Sequence, residues 1–338
     1  MSNQTGSIKP FIPDEPIIRV DGLIKNYGQV TALTGISFNV RRGELFGFLG
    51  PNGAGKTTTI NILTGLARAD SGIIEIDGQD CAHNPKSAQH LIGIVPDESN
   101  LYPELSGFDN LCFCASLYGM KKEDRINQAR QLLDDFGLSE AGERKFAGYS
   151  KGMKRKLTIA AGLIHKPSIL FLDEPTTGID VASARHIRQL IQNLHGNGTT
   201  IFLTTHYIEE AERLCDRIAF IVGGRIVLVD SVAHLLQSLQ EKQVLLMSVP
   251  GLNQKIVQSF AQAFSNFQVE MVDRNQLRIE ANSSISLAPL VNFLAAHNLE
   301  VLEARSLHPS LEDIFVKVTG LQVDMMKKER EKNGGGGQ

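Results

Sequence analysis

Residues Gly50–Thr57 (GPNGAGKT) fit the spacing G-x-x-x-x-G-K-[ST], the pattern of a backbone loop that cradles phosphate. Without side chains at Gly53 and Gly55 the main chain can wrap an anion with its N–H groups. A helix starting just after the loop adds its positive dipole end. Lys56 would then reach the β- and γ-phosphates, and the Thr57 hydroxyl would ligate Mg²⁺. A second candidate is Asp173-Glu174, which closes the apolar run Ile169–Leu172. Carboxylates at the C-terminal mouth of a buried strand stand where open parallel sheets bind ligands. There Asp173 would hold the Mg²⁺ shell, and Glu174 would orient and deprotonate an attacking water. A hydrophobic run ending in Asp-Glu is common by itself. Its company with the loop at 50–57 makes it a catalytic candidate.

Both features need a rigid sheet to hold them. From Ile17 to about Gln240, short β-rich runs at Leu45–Leu49, Ile92–Val95, Ile169–Leu172, Thr200–Leu203 and Ile218–Val222 alternate with helical stretches. That alternation predicts an α/β fold with a mainly parallel sheet flanked by helices. The run Leu45–Leu49 and the helical stretch Thr58–Leu66 bracket the phosphate loop in the required order. Between Phe108 and Leu163 the strand signal vanishes, and Ile126, Ala129, Leu133 and Phe136 recur at helical spacing, which predicts a helical insertion.

Beyond a linker near Ser238–Gln243 the pattern restarts. Strand Val244–Val249, helix Gln254–Phe264, strands Phe267–Val272 and Gln276–Glu280, helix Ile285–His297 and strand Glu300–Ser306 follow in turn. With a closing helix near Leu311–Val318, the order β-α-β-β-α-β predicts a small α+β ferredoxin-like domain over 243–318. Residues 1–16, with Pro10, Pro13 and Pro16, read as a loose leader, and 319–338, a charge run before four glycines, as a flexible tail.

Composition narrows the function classes. A chain of 338 residues suits two domains at roughly 100 to 200 residues each. With 42% hydrophobic and 21% charged residues it can bury a large core. Its formal charge of −3 supplies no overall field to draw in nucleic acid. Cys81, Cys112, Cys114 and Cys215 form no CxxC pair and read as reduced cytosolic thiols. A bilayer crossing needs about 18 unbroken apolar residues. The best run, Ile218–Val229, is interrupted by Gly223, Gly224 and Arg225, so a membrane role would run through a partner.

From about Ile17 to Leu236 the sequence resembles the ATPase subunits of ABC transporters. The resemblance implies a P-loop NTPase fold with an ABC-type mainly parallel sheet, an antiparallel β subdomain and a helical subdomain over about 98–165. It also implies ATP and Mg²⁺ as ligands, with Gly50, Asn52, Gly53, Ala54, Gly55, Lys56, Thr57 and Thr58 on the phosphates. Tyr27 stands where the family places an aromatic that stacks on adenine, and a partly buried strand aromatic is the plainer reading. Tyr149–Met153 occupies the place of the family signature L-S-G-G-Q and agrees with it at Ser150 and Gly152. A hydroxyl, bare N–H groups and a helix N-terminus there make an anion site for a γ-phosphate. The basic run Lys151, Lys154, Arg155 and Lys156 would add positive potential or form a solvated helix face.

In the family the signature of one subunit closes over the ATP of the other, which implies a homodimer with composite sites. Asp180, in Thr177–Asp180, falls in the loop linking the two sites, and His206 matches the switch histidine that donates to the γ-phosphate. One position departs from the pattern: Asp97 replaces the switch glutamine. A carboxylate still accepts from metal-bound water, yet it is shorter, charged and cannot donate.

The acidic Asp97, the following Leu101–Leu105 and the closing Leu311–Gly320 resemble the exporter branch that includes drug-resistance and polysaccharide-export ATPases. The resemblance implies an ATPase on the cytoplasmic face of a membrane, working through the segment Asp97–Met120 on a separate multi-span permease. A soluble ABC ATPase acting on ribosomes or DNA is the competing class. Its translation type carries two phosphate loops, and its chromosome and repair types insert a long coiled coil or zinc-binding cysteines. This sequence has one loop and neither insertion. A simple P-loop kinase would not need Ser150, Gly152, Asp180 and His206 in this order.

Overall fold

The computed structural model describes residues 16–84, 86–239, 243–282, 284–307 and 310–321. The predicted leader and tail therefore lie outside the described residues, apart from Pro16 and 319–321. Of the described residues, 16–231 with 318–321 form one compact unit and Val232–Lys317 a second.

In the first unit, β1 (Pro16–Tyr27) and β2 (Val30–Arg41) pair as a long hairpin, joined by β4 (Ser71–Ile76) and β5 (Gln79–Asp80) in an antiparallel sheet ordered β2-β1-β4-β5. Pro16, read as part of the leader, instead opens β1, a strand-start position where the missing N–H costs no ladder bond. A six-stranded sheet runs β10-β9-β3-β8-β7-β6, built from β3 (Leu45–Leu49), β6 (Ile92–Val95), β7 (Ile169–Asp173), β8 (Thr200–Thr205), β9 (Arg217–Val222) and β10 (Arg225–Ser231). Its strands are parallel except the edge strand β10. Strands β3, β7 and β8 are buried at every residue, as a sheet covered on both faces demands. Phe38 of β2 lies 5.5–5.8 Å from the rings of Phe46, Phe48 and Phe202, so the antiparallel sheet is docked on the parallel one through aromatic packing.

The helices are α1 (Lys56–Leu63), α2 (Gly107–Leu117), α3 (Lys122–Asp135), α4 (Lys151–Leu163), α5 (Val181–Gly196) and α6 (Ile208–Leu214). Helices α2 to α4 make up the predicted helical insertion. Ser106 caps α2 by accepting from Asp109 N–H at 3.0 Å. Helix α4 lies directly on β6 because Gly93 has no side chain; a Cβ there would sit 2.2 Å from the Gly162 carbonyl oxygen.

The second unit holds α7 (Val232–Leu239), β11 (Gln243–Ser248), α8 (Gln254–Ala263), β12 (Gln268–Asp273), β13 (Gln276–Ala281), α9 (Leu287–Ala296), β14 (Glu303–Leu307) and α10 (Leu311–Thr319). Its sheet is antiparallel throughout, ordered β12-β13-β11-β14, the arrangement of a ferredoxin-like fold. Strand β14 starts three residues later than the sequence pattern suggests. Asn298 leaves α9 in a left-handed conformation, φ 58°, and Leu302 only docks its N–H on Ser248, so the ladder begins at Glu303. Leu245, Met247, Phe260, Leu277, Ile279 and Leu290 fill its core.

Candidate functional site

Every sequence-predicted chemical group of the sheet emerges at the carboxyl ends of its strands. The loop 50–55 follows β3, Asp97 follows β6, Asp173 ends β7 with Glu174 next, and His206 follows β8. These ends surround a cavity of about 460 Å³. Its lining comprises Asn52, Gly53, Gly55, Lys56, Thr57 and Thr58 of the loop and helix start, Asp97, Glu174 and His206, and Val30, Thr31 and Ala32 with Gly223 and Gly224.

Glycine is required in the loop by space as well as by backbone angle. A Cβ at Gly50 would lie 2.1 Å from the Ile221 carbonyl oxygen. Gly55 adopts φ 105°, and a Cβ there would lie 2.8 Å from the Ala32 oxygen. Ala54 accepts from Gly224 N–H at 3.0 Å, which ties the loop to the β9–β10 turn. Buried Lys56 donates to the carbonyls of Gly50 at 2.8 Å and Pro51 at 3.1 Å, and its Nζ lies 3.3 Å from Glu174 Oε1.

Asp173 is held through both carboxylate oxygens. Thr57 Oγ1 donates to Oδ2 at 3.0 Å, and the Thr204 hydroxyl donates to Oδ1. Glu174 has φ 46°, unusual for a residue with a side chain, and its N–H is shared between the carbonyl and hydroxyl of Thr204 at 3.1 and 3.2 Å. The Thr177 hydroxyl donates to Glu174 Oε2 at 2.8 Å, and His206 Nδ1 lies 2.6 Å from the same oxygen. Burial alone would raise the Glu174 pKa. The contacts from His206, Lys56 and Thr177 outweigh it and bring the value down to about 2. For Lys56 the balance falls the other way: burial draws its pKa below the ordinary lysine value against the pull of Glu174, Asp173 and Asp97.

Seven predicted residues stand outside this cavity's lining: Gly50 and Ala54 within the loop, Asp173 bonded to Thr57, and Tyr27, Ser150, Gly152 and Asp180. Tyr27 is half exposed; it pairs with the cavity residue Val30 across the hairpin, and the Lys25 ammonium sits 5.1 Å from its ring centre. Ser150 is the N-cap of α4, accepting from Met153 N–H at 3.2 Å, and Gly152 is buried two residues into that helix. Asp180 caps α5 by accepting from Ser183 N–H at 2.9 Å. The basic run divides. Arg155, read as a source of potential or a solvated charge, is not solvated: it is 7% exposed and turned into its own chain. Lys156 donates to the Phe136 carbonyl at 3.2 Å. Sequence reasoning also missed Thr204, a polar residue inside the fully buried β8, and the cavity wall at Val30–Ala32.

The oxygens of Thr57, Asp173 and Asp97 are hard donors of the kind Mg²⁺ takes. Among the described residues no group of three or more His, Cys, Asp or Glu side chains could hold a metal unaided. A Mg²⁺ ion here fits as one shared with substrate phosphates and water, its usual mode.

The family model described as ABC transporter matches residues 33–177. A linearmycin resistance ATP-binding protein of Bacillus subtilis is 36% identical, over 90% of this chain and 98% of the relative. The chain belongs to the ABC transporter ATP-binding proteins. It is accordingly an ATPase and binds ATP. A fluoroquinolones export ATP-binding protein of Mycobacterium tuberculosis is 37% identical, over 91% of this chain and 94% of its own length. Among solved structures, a dimeric ATP-binding cassette in a post-hydrolysis state with ADP and Pi matches with TM-score 0.59 at 26% identity, covering 64% of this chain and 98% of its own.

Proposed function

We propose that this ABC ATPase drives export as a homodimer with composite ATP sites, at the cytoplasmic face of a membrane, through a separate multi-span permease. The observation that carries the reading is the split of the site residues. Lys56, Thr57, Glu174 and His206 surround one cavity with Asp97, and Asp173 is bonded to it through Thr57. Ser150 and Asp180 of the same chain are exposed outside the lining, available to a second copy. Relatives named for drug resistance and export over nearly their whole length support the direction of transport. Among the described residues no helix is long and apolar enough to cross a membrane. The ATPase domain would span 17–240 and the ferredoxin-like domain 243–318.

In this reading Gly50 to Thr58 hold the phosphates, Tyr27 the adenine, and Mg²⁺ bound by Thr57, Asp173 and Asp97 would neutralise phosphate charge. Glu174 is ionised across the physiological range, as a base must be, but its close contacts with His206 and Lys56 make it a weak one. When phosphate takes over the Lys56 ammonium, Glu174 loses one of the contacts that depress its pKa, and its basicity rises toward water activation. His206, at the end of β8, then holds the γ-phosphate side of the cavity.

The test is Glu174→Gln. It should bind ATP with affinity close to the parent, lose at least about 100-fold in hydrolysis, and accumulate as an ATP-bound dimer on gel filtration. Membranes of the source cell should yield a multi-span permease with the tagged chain. Parent-like turnover in Glu174→Gln removes the base role, and a monomer under saturating ATP removes the composite site.

A further inference from the structure

The geometry points to Arg155 as a positioning residue for the two loops that carry Glu174 and Asp97, an assignment that rests on the ATPase reading above and extends it. Arg155 sits in the second turn of α4, and among the described residues its guanidinium donates only to main-chain carbonyls. Nη1 donates to Pro96 O and to Asp97 O at 3.0 Å, Nη2 to Asp173 O at 2.6 Å, and Nε to Pro175 O at 2.8 Å.

These four carbonyls are not scattered. Asp173 O belongs to the peptide that enters Glu174, and Pro175 O lies one residue beyond it. Pro96 O belongs to the peptide that enters Asp97, and Asp97 O to the one that leaves it. One planar group therefore fixes the backbone on both sides of the attacking-water residue and of the residue replacing the family's glutamine. Glu174 needs that support, because its φ of 46° persists only where its surroundings over-determine it. Thr204 secures the Glu174 N–H, and Arg155 secures the flanking carbonyls.

Sterics and charge both favour arginine over lysine here. A buried guanidinium is tolerable only with its N–H groups satisfied. Its rigid fork reaches several carbonyls at once, whereas a lysine ammonium is a point donor on a flexible stem. Asp97 and Asp173 lie close enough to favour the cation as well, against the cost of its burial.

The experiment compares the parent with Arg155→Lys and Arg155→Gln, alone and combined with Glu174→Gln. Nucleotide affinity is measured directly with a fluorescent ATP analogue, and turnover with ATP. Arg155 does not line the cavity, so both single variants should bind nucleotide within about threefold of the parent while kcat falls by about 30-fold or more. Because Arg155 acts through Glu174, adding Arg155→Lys to Glu174→Gln should lower the residual rate by less than about threefold. A simple fold defect would weaken affinity and turnover together, and would lower the rate equally in both backgrounds. Either of those results, or a kcat within threefold of the parent in Arg155→Lys, overturns the assignment. The charge-preserving lysine variant carries the test if the glutamine variant does not fold. A parent chain without ATPase activity would sink the underlying reading instead, and that result is distinct from a loss confined to the variants.

Discussion

Gly152 agrees with the family signature, and the structure supplies a reason for the glycine within the chain itself. A Cβ at 152 would lie 2.2 Å from Ser183 Oγ and 2.7 Å from Ser183 Cβ, on the first turn of α5. Non-bonded carbons settle at about 3.5–4.0 Å, so α4 and α5 would have to part by roughly an ångström. Overpacking of that kind costs about 1–3 kcal/mol. It would also drag on the Asp180 cap, which holds Ser183 N–H at 2.9 Å. Gly152→Ala should therefore destabilise the first unit by about 2 kcal/mol and lower ATP hydrolysis at least tenfold. Ser183→Gly removes both clashing atoms and should cost only about 0.5 kcal/mol in helix propensity. The double variant should be no less stable than Ser183→Gly alone, a coupling energy of about 2 kcal/mol, and its ATPase activity should return. Urea unfolding followed by circular dichroism gives the stabilities, and phosphate release gives the rates. A double variant that regains stability but stays inactive would show that nucleotide, not Ser183, demands the glycine, and would refute this reasoning.

Lys56→Ala should weaken ATP binding at least tenfold in a fluorescence titration, because the charge contact serves ground and transition states alike. Glu210, on α6, accepts from Thr176 Oγ1 at 2.7 Å, and burial raises its pKa against the hydroxyls of Thr205 and Thr176. The folded chain thus holds this proton to higher pH than the unfolded chain, so its stabilising contribution is complete below about 4.5 and is lost as pH rises. Glu210→Gln should flatten that decline, gaining on the parent in urea midpoint between pH 5 and pH 8; a constant difference across the range would exclude it. Asp97→Gln removes one negative charge from the cavity wall and should tighten metal-free ATP binding about tenfold, read by titration calorimetry in EDTA. Equal metal-free affinities would mean that the Asp97 charge is not felt by the phosphates.

What the sequence could reveal followed from the range of each interaction. The loop 50–57 was legible because its chemistry is local: spacing, missing side chains and a helix start lie within one short segment. Strands β3 and β7 were legible because burial on both faces leaves unbroken apolar runs, and the carboxyl end of β7 then located Asp173 and Glu174, whereas His206 was named by the family resemblance. Arg155 was misread for the complementary reason. In sequence it is one of several cations in a helix start, and nothing local separates it from Lys154 or Lys156. Its role depends on four carbonyls, of which Pro96 lies 59 residues away and Pro175 lies 20. The same applies to Gly152, whose neighbour Ser183 belongs to the next helix. Residues that perform a step are therefore announced by local pattern, whereas those that hold the performers in place are defined by long-range backbone contacts. In this chain those contacts converge on α4, so the helix that presents Ser150 outward also fixes Asp97 and Glu174 inward.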